Sequence, residues 1–175
     1  MSEGAEAGVE GLVVRAVEPS DAGGWIALRD ALWPDSIVDH EAEVPAYFAD
    51  PPEREACFVA ALPGHGLVGF AEVRLREYAE DCLTSPVGYL EGIYVVPELR
   101  VSGVGRALAA AGEAWARTRG CSEMASDREL GNSVSGAFHE AVGYQETVRM
   151  VCYRKSLAGG LPAARPSPVD VGGPP

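Results

Sequence analysis

The chain has 175 residues, of which 47% are hydrophobic, enough for a single domain with a proper core. With 14 Lys+Arg against 26 Asp+Glu its net charge is −12, which repels a nucleic-acid backbone or an anionic membrane and attracts a polycation. No run approaches the ~18–20 consecutive apolar residues of a membrane span.

Residues 1–11 are acidic and Gly-rich, with no basic or apolar run of a signal peptide, and are read as a flexible N-terminus. Leu12 to Val17 is a β-branched run that predicts a strand. Pro19-Ser20-Asp21 then opens a helix with Ser20 as its expected N-cap, and Trp25, Leu28 and Leu32 share one face of it. Residues 35–55 are acidic and partly helical, with Pro45 limiting the helix. Cys57–Leu62 and Leu67–Tyr78 flank the turn Pro63-Gly64-His65-Gly66, a hairpin pattern. Gly88–Val96 is largely apolar and reads as a central strand. Val104, Leu108, Ala111 and Trp115 form a helical stripe, Cys121–Ser126 a short strand, Asn132–Val142 a further helix, and Tyr144–Ser156 a closing strand. The order βααβββαβαβ predicts a mixed α/β (α+β) sheet with helices on both faces. After Leu157 the Pro/Gly-rich stretch 158–175 reads as a disordered tail, leaving a domain at 12–157.

Cys57, Cys82, Cys121 and Cys152 are far apart, as are His40, His65 and His139, so no metal site is expected. That usage points to a reduced, cytoplasmic protein.

The chemistry lies in Arg100-x-x-Gly103-x-Gly105, a glycine loop between a buried strand and a helix. Glycines at a helix start let backbone N–H groups approach an anion, and the helix dipole favours phosphate there. The segment lacks the Lys of a Walker loop, and Leu108 stands where a dinucleotide fingerprint needs its third small residue. Alone, the loop reads equally well as a helix-capping turn. Glu91 is a carboxylate in the apolar strand Y-L-E-G-I-Y-V. It is either an outward surface residue or a buried acid able to bind a cation and take its proton. Asp127 follows a strand end, where it caps a turn or pairs with an ammonium. Asn132 caps a helix or contacts a ligand. Trp33 and Tyr78 are core residues or cation-attracting walls.

In its context this loop resembles the acyl-CoA motif of the GNAT N-acetyltransferase superfamily, over roughly residues 12–157. The segments L-R-x-x-L-W-P-D (28–35), T-S-P-V-G-Y-L-E-G-I-Y-V-x-P (84–97), C-x-E-M-A-S-D (121–127) and G-Y-Q-E-T (143–147) narrow the resemblance to the aminoglycoside 6′-N-acetyltransferases. The resemblance implies a mixed, mostly antiparallel sheet and acetyl-CoA as co-substrate. It also implies an aminoglycoside as the polycationic partner, and a homodimer. By the same resemblance Ile93, Tyr94 and Val95 lie along the pantetheine. Val101, Ser102, Gly103, Val104, Gly105 and Arg106 wrap the pyrophosphate, and Asn132 also touches the cofactor. Trp33, Tyr78, Glu91 and Asp127 line the drug site. Ser36 stands where some members carry a substrate-contacting His, and Val148 where some carry an acid. His139 occupies the place of a Tyr that protonates the leaving thiolate in many members and is the candidate acid beside Glu91 as candidate base. Other readings are a GNAT enzyme acting on a polyamine or a peptide N-terminus, and a non-catalytic acyl-CoA-binding module.

Overall fold

A computed structural model describes residues 9–157. β1 (Val13–Ala16), β2 (Glu55–Leu62), β3 (Gly66–Arg76), β4 (Val87–Val95) and β5 (Met124–Ser126) lie in one sheet in chain order. Successive pairs are antiparallel up to β4, and β4–β5 is parallel. The parallel step is made by α3 (Val104–Thr118), which crosses between β4 and β5. α1 (Ala22–Leu32) and α2 (His40–Ala49) follow β1, and α4 (Ser133–Ala141) follows β5. The mixed sheet is as expected, and β4 is flanked by β3 and β5.

Each sheet face has its own core. Ala71, Val73 and Leu90 pack with Val104 and Leu108 of α3, while Cys57, Val59 and Phe70 pack with Trp25, Leu28 and Val44 of α1 and α2. Helices therefore cover both faces, as strands alternating their side chains require. The entry to α1 differs from expectation. Asp21, not Ser20, organises it: its carboxylate accepts from Glu18 N at 2.8 Å and from two Arg15 nitrogens at 2.6 and 2.9 Å. A carboxylate accepts several donors where a serine hydroxyl accepts fewer. Pro45 lies inside α2 without ending it. Part of the acidic stretch is structural: Asp39 caps α2, and Glu43 and Glu55 pair with Arg29 and Arg74.

The closing strand is not formed. Residues 145–156 adopt no strand, and Val148, Met150, Val151 and Tyr153 are exposed. An alternating apolar run becomes a strand only where an edge accepts its backbone, and β5 has three residues, with no strand beyond it among the described residues. The tail, and all but three residues of the N-terminal segment, lie outside the described residues.

Candidate active site

The position of Glu91 is set by a break in strand pairing. Glu72 pairs with Gly92 and Val73 with Leu90, so Glu91 is the extra residue of a β-bulge. In a regular strand Ile93 and Leu90 would face opposite sides. Here both join the core under α3, and the bulge absorbs the change of phase. Glu91 and Tyr89, two residues apart, share the opposite face with Arg76. The next residue, Gly92, is where Trp33 abuts the strand: a Cβ at position 92 would lie 2.5 Å from the Trp33 ring. Only glycine admits the indole there.

A linked set of side chains runs from Glu91 across this face. Arg76 donates to both Glu91 oxygens, at 2.9 and 2.6 Å. Its guanidinium carbon lies 3.3 Å from the centre of the Tyr89 ring. The Tyr89 hydroxyl donates to Asp127 at 2.6 Å, and burial, reinforced by that carboxylate, holds the phenol well above its usual pKa. Arg76, Tyr89, Asp127, Ser126 and His139 line one cavity of about 680 Å³. Glu91 reaches it through Arg76. Trp33 stands on the other side of Gly92, with Arg29 over its ring at 5.6 Å. Tyr78 is exposed, and the Ser36 hydroxyl accepts from Val38 N at 3.1 Å, bracing a turn; neither lines that cavity.

His139 has both ring nitrogens engaged. Nδ1 lies 2.7 Å from the Ser135 carbonyl and so carries a proton towards it. Nε2 lies 2.9 Å from Ser126 Oγ, which reaches the Leu90 carbonyl at 3.0 Å. A neutral ring accepts from Ser126, whereas a protonated ring donates to it and leaves the hydroxyl hydrogen for the Leu90 carbonyl in the middle of β4.

At the other end of β4 the glycine loop is shaped for backbone contacts. Arg100 donates to Val95 O at 3.1 Å and lies over the Tyr94 ring. Ser102 Oγ donates to Leu99 O at 2.6 Å. Val101 and Gly103 have φ of 57° and 88°, and no side chain caps α3, so first-turn N–H groups are presented at an end without a cap. These residues fit a pyrophosphate. Val104 is fully buried, which leaves only its backbone for a ligand. Gly105 has a packing reason as well: a Cβ there would sit 3.0 Å from the Phe138 ring of α4. Asn132 caps α4, its side chain accepting from Ser135 N at 3.0 Å.

Sequence reasoning passed over Arg76, Tyr89 and Ser126. Tyr89 and Ser126 stood inside motifs that were recognised. Arg76 carried a weaker signal, a base one strand away whose register with Glu91 depends on the bulge.

Residues 25–144 match the acetyltransferase (GNAT) family. The chain belongs to the GNAT family. Among its relatives, aminoglycoside N(6′)-acetyltransferase type 1 of Klebsiella aerogenes is 44% identical over 147 residues, covering 83% of this chain and 97% of the relative. The protein of the same name from Stenotrophomonas maltophilia is 46% identical over 145 residues, covering 82% and 93%. The GNAT fold is equally clear in solved structures. AAC(6′)-Iy in complex with a bisubstrate analogue, CoA-S-monomethyl-acetylneamine, superposes with a TM-score of 0.77 at 37% identity, covering 83% of this chain and 98% of that one. AAC(6′)-Ih from Acinetobacter baumannii gives 0.78 at 34% identity, covering 85% and 100%. Among the described residues no group of His, Cys, Asp and Glu could hold a metal ion, and no helix is long and apolar enough to cross a membrane.

Proposed function

We propose that this GNAT enzyme transfers an acetyl group from acetyl-CoA to the 6′-amine of an aminoglycoside, and so confers resistance to such drugs. The observation that carries the reading is the acidic, aromatic face of Glu91, Tyr89 and Asp127, built on β4, the strand that runs on into the glycine loop, and on the end of β5. Carboxylates bracketing a π-face suit a polycation. The relatives' shared name supplies the 6′ position.

In this reading the Val101–Arg106 backbone holds the pyrophosphate, Ile93–Val95 and Asn132 guide the remainder, and acetyl-CoA supplies the activated thioester. Asp127 pairs with a ring ammonium, and Trp33, Tyr78 and Ser36 border the drug. Glu91 binds the 6′-ammonium and takes its proton, which frees the amine to attack. No covalent enzyme intermediate is needed, because positioning both reactants does most of the work. The C–S bond breaks as the amide forms, and His139 supplies through Ser126 the proton taken up by the departing CoA thiolate. The reading includes a cytoplasmic location and a homodimer, the latter supported by the exposed apolar side chains of residues 148–153. Light scattering at several concentrations reads the assembly state.

The test is regiochemical. Purified protein with acetyl-CoA is given a kanamycin-type drug with a free 6′-amine and an analogue bearing a 6′-hydroxyl, and products are mapped by NMR. Acetylation of the first at the 6′ nitrogen and none of the second is expected. Product on a 3- or 2′-amine overturns the assignment.

A further inference from the structure

Arg76 fills the place that a substrate cation needs. Its Nε and Nη2 take the two Glu91 oxygens at 2.9 and 2.6 Å, a bidentate fork. The same guanidinium covers the Tyr89 ring at 3.3 Å, the surface that otherwise attracts an ammonium. Behind the ring, the Tyr89 hydroxyl is tied to Asp127. One side chain thus occupies both the carboxylate and the π-face on which the functional reading above depends. We propose that Arg76 is a tethered surrogate for the substrate's ammonium: it fills the Glu91–Tyr89 seat in the free enzyme, leaves it when an aminoglycoside binds, and so excludes single amines while admitting polycations. The inference rests on that functional reading.

The physical argument is one of exchange. A guanidinium cannot give up its charge in a protein. An ammonium reaching Glu91 beside it would crowd two cations on one carboxylate, so relief comes by movement. A monoamine entering the seat only replaces one cation by another. It also sheds a tighter hydration shell than guanidinium does, so the exchange gains it nothing. A polycation brings further ammonium and hydroxyl contacts that the guanidinium never had. Arg76 has somewhere to go: its side chain is 36% exposed, and Glu80 and Asp81 line the same cavity. Arg74, the other base near Glu91 at 4.0 Å, is already paired with Glu55.

The experiment compares the wild-type protein with Arg76→Gln and Arg76→Lys, reading turnover of a 6′-amino drug and, by calorimetry, binding of the same drug. Arg76→Gln removes one partly exposed ion pair and one cation–π contact from the competition. KM and Kd for the drug should fall about 5–30-fold. Glucosamine, a monoamine that should not compete in the wild type, should become a competitive inhibitor. Arg76→Lys keeps a charge but loses the fork, and should move the same way by less; it stands as the test should the Gln variant not fold. A KM at or above wild type in folded variants overturns the proposal, as does unchanged discrimination against glucosamine. A fall in kcat with a shifted acidic limb of the pH profile also overturns it, assigning Arg76 to positioning Glu91 instead. Failure of the functional reading shows separately, as absent 6′-acetylation by the wild type, while calorimetry still compares the variants' hold on the drug.

Discussion

Glu91 shows how one residue's role depends on a local irregularity. Unbulged pairing would put Ile93 and Leu90 on opposite faces, and the segment leading to the glycine loop would lose its place in the core under α3. Glu91→Gln keeps size and shape, so fold and CoA binding should survive. kcat/KM for the drug should drop by about 10²–10⁴-fold, the range of a positioned acid or base, with loss of the acidic limb of the pH–rate profile. A rise in KM alone would reduce Glu91 to a cation anchor. The loop glycines separate in the same way. Gly103 has a positive φ and open space around its missing Cβ, whereas Gly105 faces Phe138. Gly105→Val should therefore lower the melting temperature as well as weaken CoA binding, and Gly103→Ala should act through backbone strain alone. Thermal melts with and without CoA separate the two.

Among the elements, the junction of β1 and α1 makes the sharpest claim. Arg15 and the Glu18 amide hold Asp21 below the ordinary carboxylate value of 3.8, with the Arg15 hydrogen bond the larger cause. A carboxylate whose pKa is depressed on folding adds stability above the unfolded value and loses it as pH falls through the folded one. Asp21→Asn should then cost about 1.5–3 kcal/mol at pH 7, the usual worth of hydrogen bonds to a charged group. The gap between variant and wild type should narrow as pH falls below 3.8 towards the lower folded value. Urea midpoints at pH 7 and pH 3 check this. Loss of the Asn132 cap in Asn132→Ala should cost about 1 kcal/mol. If Asn132 serves only α4, CoA affinity stays unchanged in that variant, and calorimetry decides.

For the whole molecule, the net charge of −12 should concentrate a polycation near the site at low salt. Screening shrinks its reach from about 10 Å at 0.1 M to about 3 Å at 1 M. KM for the drug should therefore rise with salt, while kcat holds nearly steady. Steady-state kinetics across a salt series reads both. Saturating acetyl-CoA at 100 times its Kd should stabilise the fold by about 2.7 kcal/mol, a rise of about 5–10 °C in Tm for a chain of this length. A flat melting curve would remove the loop from the cofactor site.

Much of this protein was legible one residue at a time. Hydrophobic period, glycine and proline punctuation and charge are local properties, so the strands, helices, hairpin and mixed sheet followed from them. The glycine loop and the motifs around Glu91 and Asp127 were equally local. The tertiary structure decided what depends on partners distant in the chain. Register placed the bulge at Glu91, set Arg76 on it from 15 residues away and joined Tyr89 to Asp127 across 38. It gave the entry of α1 to Asp21 rather than Ser20, because Arg15 of the neighbouring strand and the Glu18 amide supplied donors to its carboxylate. It also left residues 145–156 without the strand that their alternation predicts, since a strand exists only where another backbone completes its hydrogen bonds.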